Sequence, residues 1–446
     1  MSIVFAAMVP HPPLIIPQVG KGQEEGIAAT VESYREMGRR VAELRPDTVF
    51  ISTPHSVMYY DYFHISPGDS ARGDFKRFGV SPRDWSMEVA YDTEFVQTLC
   101  GYADELSFPA GIEGERDASL DHATLIPLHF IREAWGDAPL PKVVRAGLSG
   151  LPLSYHYMLG MPVHKAAEQL DRKVVYIGSG DLSHKLKDDG PYGFDENGPV
   201  YDERIMDVMG SGDFGKLFDF SADFCERAAE CGHRSFVMMA GALDRTAVKV
   251  TKKSHEGPFG VGYGVCFYDP EGPDESRNFL EQAEHEKVDR MAALRAQEDV
   301  YLTLARTALE HYLTEGYVPS LDAMQEQGLV PALPADLLER RAGAFVSLHK
   351  EGALRGCIGT TGPTQENLAE EICRNAVKAA TEDPRFPQVQ AHELPDLVYD
   401  VDVLSEPEDI SGPEELDVKK YGVIVTTRGF IPKRGLLLPD LAGVDT

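Results

Sequence analysis

Three histidines stand just beyond short apolar runs: His11 after residues 3–9, His55 after residues 49–53, and His184 at the end of the GSGDLSH segment that follows residues 174–178. Neutral imidazole is the commonest protein ligand for transition metals, and it is also the usual general base near neutral pH. If each run is a strand, all three histidines reach the carboxyl edge of one sheet, where open α/β folds gather their ligands. Two imidazoles and one carboxylate on one face of Fe(II) leave positions open for substrate and oxygen, so a carboxylate donor is expected. Glu230 supplies it, at the break between two helical stretches in SADFCERAAECGHRSFVMMAGALD. Cys231 and His233 are rival ligands in the same turn. The competing reading is of loop histidines satisfied by hydrogen bonds and a solvated acid at a helix end. His122, in SLDHATLIPLHF, precedes an apolar helix start, where it could donate a hydrogen bond to a substrate oxygen. His129 is read as structural, and His64, His156 and His164 receive no role.

The elements that must position these groups are legible as patterns. IVFAAMV, TVFIST, KVVRAGLS and KVVYIGS are short, β-branched and bounded by turn signals, as buried strands are. Helical windows such as GIAATVESYREMGRRVAEL and YMLGMPVHKAAEQLD lie between them. The alternation predicts an α/β fold, a mostly parallel sheet flanked by helices. GPFGVGYGV (257–265) matches neither a Walker loop nor a dinucleotide fingerprint and reads as a turn feeding a strand. Residues 56–90 are rich in aromatics and either wall an aromatic slot or form a surface loop with a local cluster. The turn-and-acid stretch DPEGPDES places a boundary near residue 272, dividing the chain into 1–272 and 285–446. The second part mixes strands (GAFVSLHK, LVYDVDVLSE, VIVTTRG) with helices around 292–314 and 364–381, an α+β pattern.

Composition narrows the class. A length of 446 residues suits two or three domains. The excess of 72 Asp+Glu over 43 Lys+Arg gives −29, which argues against nucleic acid and anionic membranes as partners. Six cysteines without a C-x-x-C pair indicate reduced thiols in a cytoplasmic protein rather than a zinc ribbon or disulfide scaffold. The apolar N-terminus lacks a basic region and is broken by prolines, so it is a poor signal peptide. No apolar run reaches the length of a membrane span.

The motifs VPHPP around His11, STPHS around His55, LDHATLIPL around His122, GSGDLSH around His184 and AECGHRSF around Glu230 resemble the class III extradiol ring-cleavage dioxygenases of the protocatechuate 4,5-dioxygenase β-subunit type, and the related Memo proteins. The resemblance implies that His11, His55 and Glu230 hold Fe(II), with zinc or another divalent metal as the alternative. It implies acid–base work for His184, substrate contact for His122, and, on the Memo pattern, Cys231 in the pocket. It also implies a homodimer. LRGCIGT (354–360), NAVKAATEDPRFPQV and ELPDLVYDVDVLSEPE resemble an AMMECR-type domain, which normally continues past an LLPDLAGVDT-like stretch into a further helix. Such domains recur with Memo-type proteins and radical S-adenosylmethionine enzymes, implying a partner of that kind. Cys357 is either a nucleophile or a small buried residue in a tight turn, with His349 and Arg355 nearby in sequence; Arg355 is a candidate anion anchor.

The leading expectation is a non-haem Fe(II) enzyme that opens a catechol-like or phenolic ring. The second is a metal-dependent enzyme that makes or breaks carbon–carbon bonds without oxygen, working with a radical enzyme. The third is a non-catalytic metal-binding scaffold.

Overall fold

A computed structural model of the chain describes residues 2–350, 352–406, 408–410, 412, 415–427 and 434–437. The chain forms two compact units, 1–293 and 294–446. The division falls later than residue 272. The last strand of the first unit runs through that point to Pro273, and the helix Phe279–Ala296 follows.

The first unit is built on a six-stranded sheet. Its strands are β1 (Ile3–Val9), β2 (Thr48–Thr53), β3 (Lys142–Gly147), β4 (Val174–Ser179), β5 (Thr246–Glu256) and β6 (Tyr263–Pro273), in the order β3-β2-β4-β1-β6-β5. The first four run parallel, and the β5–β6 hairpin adds an antiparallel edge. β2 and β4 are buried throughout, which is why they read as continuous apolar runs rather than alternating ones. Alternation nevertheless sorts their side chains: Phe50 and Tyr176 enter one core, while Val49, Ile51, Val175 and Ile177 enter the core on the opposite face.

Helices α1 (Ala28–Leu44) and α2 (His122–Trp135) pack on one face, and α3 (Leu153–Gln169), α4 (Asn197–Ser211) and α5 (His233–Ala242) on the other. Where α3 crosses α5, Gly160 faces the Met238 carbonyl and Gly241 the Tyr157 carbonyl; a Cβ at either position would collide. The expected turn at 257–262 closes the β5–β6 hairpin. β5 carries no clear sequence signature, because its burial is irregular along its length. Residues 56–90 are more ordered than a loop: Ser70–Asp74 pairs with Ser86–Ala90, and Phe63–His64 pairs with Ala110–Gly111.

In the second unit, β7 (Ala344–Lys350) lies between β8 (Ala353–Gly359) and β9 (Leu397–Val403), all antiparallel. Helices α6 (Val300–Glu315) and α7 (Leu368–Thr381) share its core with β7. The third expected strand forms over Val423–Thr426, pairing with Arg434–Leu437. Its last two residues (428–429) and the stretch after Leu437 lie outside the described residues. All six cysteines are free, and no helix among the described residues is long and apolar enough to cross a membrane.

Candidate metal centre

Each group at the centre arrives on the end of an element. β1 ends at Val9, and His11 follows in a turn whose backbone N–H donates to Asp181 Oδ1 at 2.6 Å. The His11 ring places Nδ1 3.2 Å from Ser179 Oγ, whose own proton goes to the Ala123 carbonyl at 2.8 Å. Ser179 is therefore the acceptor, Nδ1 carries the ring proton, and Nε2 presents a free lone pair. β2 ends at Thr53, whose hydroxyl donates to Asp121 Oδ1 at 2.8 Å and accepts the His55 N–H at 3.2 Å. Cys231 lies in the turn between the short helix Ala222–Ala228 and α5, and its Sγ accepts the Asp181 N–H at 3.3 Å. That turn passes so close to the GSGDLSH turn that a Cβ on Gly180 would collide with Gly232 Cα.

His11, His55 and Cys231 converge. The two Nε2 atoms are 3.0 Å apart, Cys231 Sγ is 3.5 Å from His11 Nε2, and the three ligand atoms all lie within 4.8 Å of one another. The free lone pair of His11 Nε2, facing His55 Nε2 at 3.0 Å, needs a cation or a proton between the two rings. Metal–nitrogen bonds of ~2.05 Å and a metal–sulfur bond of ~2.3 Å at tetrahedral angles would separate nitrogens by about 3.3 Å and nitrogen from sulfur by about 3.6 Å. The observed separations are close to both, so the residues fit a metal ion.

The third member corrects the expectation for Glu230. Its Oε2 accepts the His233 N–H at the start of α5 at 2.6 Å, and it is not among the convergent groups. Neighbouring residues in a tight turn point different ways, and here the acid takes the helix N-terminus, where the macrodipole favours negative charge. Burial pushes the Glu230 carboxyl up to about 7. His233 is no ligand either: Nδ1 lies 3.2 Å from the Tyr201 hydroxyl and Nε2 2.9 Å from the Leu217 carbonyl.

His122 and His184 flank the cluster. His122 is the first residue of α2, whose N-cap Asp121 accepts the Thr124 N–H at 3.0 Å. Its ring stacks on His55 with centroids 4.4 Å apart, and it meets His11 edge-on at 5.3 Å and Phe78 at 5.1 Å. Burial first, then His55, lowers its pKa to about 4, so it is neutral at physiological pH. His184 Nδ1 is hydrogen-bonded to the Ala229 carbonyl, leaving Nε2 unprotonated when the ring is neutral. Tyr192 meets it edge-on at 5.0 Å. Phe78 is the residue of the aromatic-rich 56–90 segment that reaches these histidines, whereas Trp85 packs on Phe75 and His129.

Sequence reasoning missed the buried supports. Asp181 holds the His11 backbone and the Cys231 thiol, and burial pushes its carboxyl up to about 7. Arg145, 1% exposed, donates to Ser66 Oγ at 2.7 Å and the Ser119 carbonyl at 2.6 Å, and lies 3.6 Å from Asp121 Oδ2. The available signals were an acid inside GSGDLSH and an arginine in the middle of the strand run VVRAG.

In the second unit, Arg355 is not free to anchor an anion. Its Nε and Nη2 grip Glu393 at 3.1 and 2.9 Å, and Nη1 donates to the Pro387 carbonyl at 2.8 Å. Cys357 lies within β8 rather than in a turn. Ser347 Oγ is 3.2 Å from its thiol, while His349 faces Asp400 at 3.1 Å.

Residues 5–266 match the family described as the catalytic LigB subunit of aromatic ring-opening dioxygenase, and residues 302–445 match AMMECR1. A protein of Clostridium acetobutylicum is 38% identical, the match covering 100% of this chain and 93% of that protein. A Thermotoga maritima protein is 52% identical over 150 residues, 33% of this chain and 80% of that protein. The crystal structure of an uncharacterized Pyrococcus horikoshii protein shares 34% identity over 32% of this chain and 68% of that one, with a TM-score of 0.27.

Proposed function

Because the chain belongs to the LigB family of aromatic ring-opening dioxygenases through residues 5–266, joined to an AMMECR1 domain at 302–445, we propose that it is a metal-dependent enzyme acting on a catechol-like or phenolic substrate. The observation that carries this reading is the convergence of His11, His55 and Cys231 beside two further histidines. These three residues would hold Fe(II), or zinc or another divalent ion. The ion supplies Lewis acidity, lowering the pKa of a bound hydroxyl.

The remaining chemistry belongs to the chain. His184, its Nδ1 proton committed to the Ala229 carbonyl, accepts the substrate hydroxyl proton at Nε2 and later returns it. His122, kept neutral by burial, donates a hydrogen bond to a substrate oxygen without adding a second charge. Phe78 and Tyr192 stand beside these two rings as apolar walls for an aromatic substrate.

One observation favours a second reading. A thiol takes the place of the carboxylate expected of an Fe(II) oxygenase, and thiolates suit softer ions such as zinc. That supports carbon–carbon bond making or breaking without oxygen, with a radical S-adenosylmethionine enzyme as partner. Oxygen uptake by the metal-loaded protein with a panel of catechols decides between them. Stoichiometric uptake with a ring-opened product supports ring cleavage. Turnover without uptake supports the second reading. A metal-loaded protein inert in both assays overturns both and leaves the scaffold.

A further inference from the structure

One carboxylate reaches both segments that bring His55 and His122 together. Asp121 caps α2, whose first residue is His122. Its Oδ1 accepts the Thr53 hydroxyl at 2.8 Å and the Thr124 N–H at 3.0 Å, and its Oδ2 accepts the Thr124 hydroxyl at 2.8 Å. Thr53, buried at the end of β2, in turn accepts the His55 N–H at 3.2 Å. Behind Asp121 stands Arg145, whose Nη1 is 3.6 Å from Oδ2. Its guanidinium also donates to Ser66 and to the carbonyls of Ser119 and Asp117, so it holds both the carboxylate and the loop that carries it. The two histidines of the cluster differ in how their rings are fixed. Ser179 holds the His11 ring through Nδ1. No group among the described residues hydrogen-bonds the His55 Nδ1; that ring rests on His122, with centroids 4.4 Å apart.

We propose that Asp121 is the positioning residue for His55, acting through Thr53 and His122: it ties the end of β2 to the start of α2, so the His55 ring is set between its own backbone and the His122 ring. Arg145 holds the carboxylate in place. This rests on the reading that His11, His55 and Cys231 hold a metal. A metal-binding histidine is ordinarily oriented by a hydrogen bond to its other ring nitrogen, and loss of such support weakens metal affinity. Here the support runs through the backbone and a ring stack instead. A carboxylate suits the task because its two oxygens accept from several donors at once, which an amide cannot do.

The test is cobalt(II) binding to the full-length protein, read by ligand-field absorption and by competition with a chelator, beside the unfolding midpoint. Thr53→Val removes both hydrogen bonds with little change of shape. Its affinity should fall at least about tenfold, with a changed absorption spectrum. Thr53→Ser should restore both. Gly160→Ala, at the α3–α5 crossing, should lower the unfolding midpoint and leave both readings at parent values. If Thr53 only supported the fold, Thr53→Val would behave in the same way. Parent affinity and spectrum in a folded Thr53→Val protein overturn the proposal, as does a Thr53→Ser protein that binds no better than Thr53→Val. If Thr53→Val does not fold, Asp121→Asn decides. Asparagine caps a helix as well as aspartate does, but it offers one oxygen where two are used. Weakened affinity then supports the proposal and parent affinity overturns it. A parent protein that takes up no cobalt overturns the metal reading, and this inference with it. A parent that binds cobalt while the variants match it overturns this inference alone.

Discussion

At the residue scale, the centre depends on which neighbour in one turn faces inward. Glu230 and Cys231 are adjacent, yet one satisfies the start of α5 and the other joins the two histidines. His11→Ala, His55→Ala and Cys231→Ala should each abolish stoichiometric metal binding, measured by elemental analysis of anaerobically purified protein. Glu230→Gln and His184→Ala should retain the metal. Glu230→Ala should retain it too but lower stability by about 1 kcal/mol, because a buried N–H at the helix start loses its acceptor. Metal loss in Glu230→Gln together with full occupancy in Cys231→Ala would reverse the assignment. The motif AECGHRSF gave the candidates, but sequence holds no term for the direction a side chain takes at a helix break.

At the element scale, small residues set the spacing of the parts that carry the candidate ligands. Gly180 and Gly232 let the Asp181 and Cys231 turns touch through their backbones. Gly180→Ala should push the turns apart and weaken metal affinity, read by competition with a chelator, more than it lowers the unfolding midpoint. Gly160→Ala should do the opposite. It acts at the α3–α5 crossing, far from the ligands in sequence, and should destabilise by roughly 1–3 kcal/mol in denaturant titration through overpacking. A Gly160→Ala protein as stable as the parent would show that the crossing has slack. The strands carrying His11, His55 and the GSGDLSH turn were legible because buried parallel strands leave dense β-branched runs. β5 was not, since an edge strand with irregular burial lacks both that run and clean alternation.

At the scale of the whole molecule, the two units have separate cores. A chain ending at Ala293 should therefore bind the same metal with the same stoichiometry as the full protein; failure to bind would place part of the centre's support in the second unit. Acid stability follows from the buried histidines of the first unit. Burial lowers the pKa of His156 to about 3 and that of His233 to about 4. The unfolded chain takes up their protons near pH 6.5, while the folded chain does not until the lower values are reached. Stability from each is thus present above pH 6.5 and lost as pH falls toward 4, by at most about 1.4 kcal/mol per pH unit per histidine. Glu230, whose carboxyl is raised, opposes this between about pH 7 and 4.5. His156→Gln should flatten the dependence of unfolding free energy on pH in that window, and an unaltered slope would remove His156 from the account.

The linear chain by itself determined the parallel strands, the histidines at their ends, the turn into β6 and the two-part organisation, because each is written in local patterns of burial and turn chemistry. Only the tertiary structure decided that Cys231 rather than Glu230 meets the histidines, that Arg355 is spent on Glu393, and that Asp181 and Arg145 stand behind the centre. Those outcomes depend on which distant segments come within hydrogen-bonding reach, and such proximity arises only once the sheet and its helices have packed.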